Sequence, residues 1–320
     1  MHDRRPVTRH RAAACLFVVT TLLLGACGSD EYSGTPNTAP GAASSKPASP
    51  TGKPVKLPQP VQELDIQATE YSFKITPDPA GGLKPGWTLL KFHNVGVEPH
   101  QVMFARIKDG VDMAELAAAG AGDSSGSGAI EFVDMIGGVS YIGAGYDTTA
   151  LVNLTEGIVM AMCYVPDAKG EAHALMGMTT LLSVAAPTDE PVSPKPTPRD
   201  DEVVGNIELA KDGYHLPERL RTGWYRVRNT DSDLHELSLL RLSKSIEDDQ
   251  VAGLVEDLAA NRTPPVSLEA VGGMGAINAG FDGYLYLDLK PGPYLAVDFM
   301  PDPGKPRPHM LDGYYAAFSV

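Results

Sequence analysis

The stretch CYVPDAKGEAHALMGM, Cys163 to Met178, puts a thiol, then an imidazole at His173, then a thioether at Met178 on one loop, in the spacing C-x9-H-x4-M. An apolar, β-favouring run from Ile158 to Met162 leads into the cysteine. A soft thiolate, a borderline imidazole and a weak thioether are donors suited to copper. A second imidazole must come from elsewhere, and His100, in NVGVEPHQV, is the candidate. Each residue also has a plainer reading. His100 fits a turn or core histidine, His173 a solvated loop residue, and Met178 competes with Met162 and Met176 as a packing side chain. Cys163 alone reads as a small buried hydrophobe.

The cysteine count sharpens the question. The chain has three. Cys15 lies in an apolar run, Cys15 to Leu24, behind a basic segment carrying Arg4, Arg5, Arg9 and Arg11. That run is signal-peptide length and short for a membrane span. It ends in Leu24-Gly25-Ala26-Cys27, which resembles a bacterial lipobox. The resemblance implies cleavage after residue 26, lipid on Cys27, and anchoring at the extracytoplasmic face of the cell membrane; an ordinary secretory signal is the alternative. Cys163 is then left without an internal partner, and an odd thiol in an oxidising compartment calls for a reason. Residues 27–60, rich in Gly, Ser, Thr, Ala and Pro, read as a disordered tether.

The formal net charge is −14. Losing four arginines and one aspartate with the leader takes the mature chain to about −17. So acidic a protein makes a poor nucleic-acid binder and offers no polybasic membrane patch.

An internal repeat organises the remainder. Gly137-Gly138 through Asp147 is echoed by Gly272-Gly273 through Asp282, and the alignment runs without a gap from Gly138 to Cys163 and from Gly273 to Asp298. Pro166-Asp167 answers to Pro301-Asp302, and His173-x3-Gly177 to His309-x3-Gly313. Upstream, Gly86-Trp87 pairs with Gly223-Trp224, Asn94 with Asn229 and His100 with His235. The copies occupy 61–186 and 203–320, with a Pro-rich acidic linker at 187–202. Both tryptophans read as core anchors.

Each copy reads mainly as short strands separated by turn signals, the pattern of a β-sandwich. In the first, Asp65 to Ile75 alternates with a slip near Thr69 that predicts a bulge. Trp87–Phe92, Gln101–Ile107, Thr149–Leu154, Ile158–Cys163 and Thr179–Val184 are further strand candidates. A helical insertion follows each histidine-bearing strand, at Asp112–Ala119 and Ser245–Asn261.

On these residues each copy resembles a cupredoxin. The carrying pattern in the first is Asn94-x5-His100, Cys163, Pro166 and His173-x3-Gly177-Met178. The resemblance implies an all-β fold of two Greek-key β-sandwiches and one type 1 copper, held in the first copy by His100, Cys163, His173 and Met178. It implies electron transfer or copper handling with a redox or copper-donor partner. The alternative is a metal-free envelope scaffold of the same fold. If the site exists, the two imidazole nitrogens and the thiol sulfur must lie within about 4 Å of one another.

The second copy departs from the pattern, with Asp298 for Cys163 and Tyr314 for Met178. Without a thiolate it cannot be a type 1 site. Two readings stand: a degenerate site whose histidines are hydrogen-bonded in place, or a two-His-one-carboxylate site from His235, Asp298 and His309. His93, opposite Arg228 in the repeat, reads as a surface residue. The mature chain holds six histidines, with no His-x-His pair, no G-x-S-x-G and no phosphate loop. On that ground the sequence predicts a protein that is not an enzyme.

Overall fold

The computed structural model describes residues 55–122, 127–188, 202–305 and 307–320. The leader, the lipobox, Cys27, most of the tether and nearly all of the 187–202 linker lie outside the described residues. Residues Pro47–Val320 form one compact unit.

Strand β1 (Val55–Lys56) precedes the first copy, whose strands are β2 (Gln62–Thr69), β3 (Ser72–Thr76), β4 (Gly86–Asn94), β5 (His100–Ile107), β6 (Val133–Ile142), β7 (Asp147–Leu154), β8 (Gly157–Met162) and β9 (Thr179–Val184), with helix α1 (Met113–Gly120) after β5. In the second they are β10 (Glu202–Ala210), β11 (Gly213–His215), β12 (Gly223–Asn229), β13 (His235–Leu242), β14 (Leu268–Ile277), β15 (Asp282–Leu287), β16 (Pro293–Val297) and β17 (Tyr315–Ser319), with α2 (Asp248–Ala259) after β13. The architecture is all-β, a tandem pair of cupredoxin-like sandwiches.

The two sandwiches share their sheets. One sheet runs β1-β10-β12-β15-β7-β4-β2-β3, with β11 on β10, and the other β17-β16-β13-β14-β6-β5-β8-β9. The seams are the antiparallel pairs β15–β7 and β14–β6. Their register is self-complementary under the repeat. Met274 faces Val139 and Leu285 faces Ala150, and in both pairs the partners are equivalent positions of the two copies. The copies therefore meet edge to edge about a pseudo-two-fold axis, as in an isologous dimer. Pairing at the seam removes an exposed edge from each copy.

Two sequence expectations are corrected. The slip near Thr69 is a turn, not a bulge: β2 and β3 form a hairpin with Thr69 opposite Ser72. The end of the tether is not disordered: Val55 and Lys56 pair with Val203 and Glu202, and Leu57 is buried. The reason is local, because Val55-Lys56-Leu57 supplies a β-branched and an apolar residue, and Leu57 packs in a cluster with Leu89, Leu151, Trp224 and Tyr284.

Successive residues of a strand point to opposite faces, and β5 shows the consequence. Val102 and Phe104 join the core between the sheets, while Met103, Ala105 and Ile107 face outward, where Leu116 of α1 and Ile130 cover them. In the second copy Val251, Leu254 and Val255 of α2 cover Leu240 and Leu242. α1 starts on Asp112, whose carboxylate accepts from the Ala114 N–H at 2.7 Å. α2 starts on a capping box between Glu247 and Gln250. Strand β6 has no clear sequence signal because Gly137-Gly138 interrupts it. Glycine is required there: at φ +131° a Cβ on Gly138 would run into the Val102 carbonyl, and Gly273 stands in the same relation to Leu237.

Candidate metal centre

His100 opens β5, and Cys163 follows the last residue of β8. His173 and Met178 come from the loop that returns to β9. Backbone bonds set that loop. The Cys163 N–H donates to the Met178 carbonyl at 3.2 Å, the Ala174 N–H to the Cys163 carbonyl at 2.7 Å, and the Met178 N–H to the His173 carbonyl at 2.9 Å. Asn94 staples the loop before His100. Its Nδ2 donates to the carbonyls of Glu98 (2.7 Å) and Ile142 (3.0 Å), and its Oδ1 accepts from the Gly96 N–H at 3.0 Å.

Three donor atoms converge. The Nδ1 atoms of His100 and His173 lie 3.2 Å apart, and the Cys163 Sγ lies 4.0 Å from the first and 3.6 Å from the second. A triangle with these sides has a point about 2.1 Å from all three corners, the distance at which imidazole and thiolate hold a transition metal. All three residues are fully buried. Met178 is also fully buried, in the same core cluster as Cys163.

The electrostatics fit a cation. Burial pushes the Cys163 thiol up to about 12, against the pull of the Gln101 and Val165 amides. The side chain is therefore a thiol at neutral pH, and a metal must displace its proton. Burial also lowers both histidines, and for His100 the neighbouring His173 adds to it. Neutral imidazoles are the ligating form. Behind them stand two carboxylates that the sequence did not single out. Glu70 Oε1 lies 3.4 Å from His100 Nε2, and Glu98 Oε2 lies 3.1 Å from His173 Nε2. Neither contact has hydrogen-bond geometry, since both Nε2 atoms are buried without a partner. A carboxylate behind each ring still favours the tautomer that leaves Nδ1 free to ligate. Glu70 is itself fixed by the amides of Glu98 and Val97, which lower its carboxyl to about 2. Glu98 lies two residues before His100, but nothing in its type or spacing marks it. Nothing marks Glu70 either, because the chain between it and His100 has no fixed local spacing. Tyr71 packs its ring 4.7 Å from that of His173.

The second copy brings His235, Asp298 and His309 together as well, with donor atoms within 4.8 Å of one another. Here Asp298 Oδ2 is shared, at 2.7 Å from His235 Nδ1 and 3.0 Å from His309 Nδ1. The far nitrogens meet further carboxylates, Asp231 at 3.1 Å and Asp302 at 3.3 Å. The Asp298 Oδ1 accepts from the Met300 N–H at 2.9 Å. Burial works against a proton on His309, but Asp298 and Asp302 outweigh it and raise the ring to about 9. Tyr314, in the place of Met178, stacks on the His235 ring at 3.9 Å. Asp312 is exposed and paired with Arg307. His93 sits at the surface between Asp147 and Asp65.

No known family profile matches the chain, and no curated protein does. Solved structures do. A reduced auracyanin from Roseiflexus castenholzii is 16% identical over 40% of this chain and 99% of its own, at TM-score 0.28. A blue copper oxidase from Nitrosomonas europaea is 16% identical over 80% of this chain and 85% of its own, at TM-score 0.25. A Cu-containing nitrite reductase from Thermus scotoductus is 11% identical over 82% of this chain and 68% of its own, at TM-score 0.22. At these values the likeness assigns no activity to this chain. It does correct one expectation. Structures matched over four fifths of the chain include named copper enzymes, so the small number of histidines is no ground for excluding catalysis.

Proposed function

We propose that the first copy binds one copper ion through His100 Nδ1, Cys163 Sγ and His173 Nδ1, with Met178 as the fourth, weaker donor, and that the protein serves one-electron transfer or copper handling. The observation that carries the reading is the buried donor triangle of 3.2, 3.6 and 4.0 Å. Two imidazoles and a thiol in such a plane match the ligand preference of copper. Bound there, copper supplies a one-electron couple. The chain does the rest. The strand ends and the Cys163–Met178 loop fix the donors in advance, the core keeps water from them, and the charges of Glu70 and Glu98 behind the rings favour the ligating tautomer. A site placed by strands and backbone bonds needs little rearrangement between oxidation states.

We read the chain as a lipoprotein, acylated at Cys27 after loss of residues 1–26 and held at the extracytoplasmic face of the cell membrane, where a redox or copper-donor protein is its partner. Cys27→Ala is expected to release it from membranes on fractionation. The decisive experiment adds Cu(II) to the purified mature chain. One equivalent is expected to bind and give an intense blue thiolate charge-transfer colour, and Cys163→Ser to abolish the colour. A colourless wild type that takes up no stoichiometric copper would leave the metal-free scaffold reading.

A further inference from the structure

A cleft of about 740 Å³ lies on the outer face of the shared eight-stranded sheet, between the regions of the two helical insertions. The repeat explains its construction. Each donor-bearing strand turns its donor into the core and its next residue outward, so the cleft is lined by the residues that follow the donors. Gln101 follows His100 and Glu236 follows His235; Tyr164 follows Cys163 and Phe299 follows Asp298. Equivalent residues of the two copies thus face one chamber at the pseudo-two-fold seam.

Its chemistry is uneven. The walls are apolar and aromatic, and Tyr141 stacks on Phe299 at 4.9 Å with the rings 12° from parallel. Two polar side chains in it are buried and incompletely partnered. Gln101, 1% exposed, has no partner for Oε1. Glu236, 0% exposed, accepts from the Phe299 N–H through Oε1 at 3.0 Å and has no partner for Oε2. The Ser238 hydroxyl, engaged with Ser140, lies close enough to favour the ionised Glu236 carboxyl but leaves Oε2 without a bond of full hydrogen-bond geometry. Glu269 adds a second acid at the lining, and no Lys, Arg or His is among the lining residues. A buried acceptor without a donor is costly, and a buried carboxyl with no basic neighbour in the cleft more so.

We propose that this cleft binds a small organic cation, an ammonium group carried on an aromatic body. The ammonium donates to Glu236 Oε2 and Gln101 Oε1, and the ring lies against Tyr141, Tyr164 and Phe299. Aromatic faces and a carboxylate acceptor are the two elements that recognise such ligands, and the proton that burial holds on Glu236 in the free protein passes to solvent on binding. The proposal does not depend on copper in the first copy.

The test is calorimetric titration of the mature chain with tryptamine, and with its neutral hydroxyl analogue tryptophol. Tryptamine is expected to bind one to one, and tryptophol about tenfold or more weaker. Glu236→Gln, which keeps size and shape and removes a buried acid, is expected to fold and to lose affinity for tryptamine by about ten- to a hundredfold. Gln101→Leu is expected to weaken it less. No saturable tryptamine binding by the wild type would overturn the proposal. So would tryptophol binding the wild type as tightly as tryptamine does. Should Glu236→Gln fail to fold, the wild-type comparison of the two ligands decides alone.

Discussion

Cys163 and Asp298 occupy one position in two copies of one fold, each between a pair of inward-facing imidazoles. In the first copy nothing internal balances that pair. The nearest acids stand behind the rings, the thiol keeps its proton, and both histidines are pushed towards neutrality by burial. In the second, one carboxylate oxygen reaches both Nδ1 atoms, and His309 keeps a proton up to about pH 9. The scaffold gathers the same donors twice. A thiol leaves the triangle in want of a metal, and a carboxylate closes it with a proton.

The largest effects should come from removing that one residue. Asp298→Ala leaves two buried imidazoles and a proton without their counter-charge, and is expected to destabilise the protein by about 3–5 kcal/mol in urea denaturation. Cys163→Ala removes a single buried sulfur from metal-free protein and is expected to cost about 1 kcal/mol, while abolishing copper uptake. Equal costs at the two positions would break the comparison, because both would then be ordinary core residues.

pH should divide the copies next. His309 is raised from the ordinary 6.5 to about 9. The folded chain then holds a proton that the unfolded chain gives up, so this stabilisation is complete below pH 6.5 and lost as pH rises through about 9. It amounts to about 3 kcal/mol at most. Glu236, raised to about 8 by burial and by Asp298, acts with the same sign between pH 4.5 and 8. His100 and His173 are lowered, so the first copy acts in the opposite sense: its contribution is present above pH 6.5 and lost as the pH falls. Denaturation midpoints of metal-free protein should therefore fall from pH 6.5 to 9.5, and His309→Gln should flatten that fall. An unchanged slope in His309→Gln would assign the proton elsewhere.

What the sequence disclosed follows from where the information lies. The donor residues were legible because the repeat aligned His100 with His235 and Cys163 with Asp298, and because donor type is chemistry that side chains carry by themselves. Strands made of an unbroken β-favouring run, such as β5, were legible too. Strand β6 was not, because its glycines serve backbone approach and carry no hydrophobic pattern. The shared sheets were not legible either, since pairing across the seam between β6 and β14 depends on a surface that both copies bury only when together. Glu70 and Glu98 escaped because a residue behind a ligand is placed by tertiary structure, and an exposed acid in an acidic chain has nothing to mark it. Glu236, next to His235 in sequence, was missed because its burial is set by tertiary structure.

The smallest effect tests the part of the fold that the two sites have in common. Asn94 and Asn229 make the same bonds. Each Nδ2 reaches two carbonyls, Glu98 and Ile142 in the first copy, Asp233 and Ile277 in the second, at 2.7 to 3.0 Å. Each Oδ1 accepts from the amide two residues on. Both are buried, so Asn→Ala leaves carbonyls short of a donor and is expected to cost about 1–2 kcal/mol at either position. The consequences for the sites should differ. In the first copy the staple sets the approach of His100 to a triangle that no internal bond holds, so Asn94→Ala is expected to weaken copper binding as well as the fold. In the second, Asp298 keeps its hold on both rings, so Asn229→Ala should lower stability by the same amount and leave copper binding unchanged. A loss of copper affinity in Asn229→Ala equal to that in Asn94→Ala would mean that the seam couples the sites, and the copies could no longer be treated as independent.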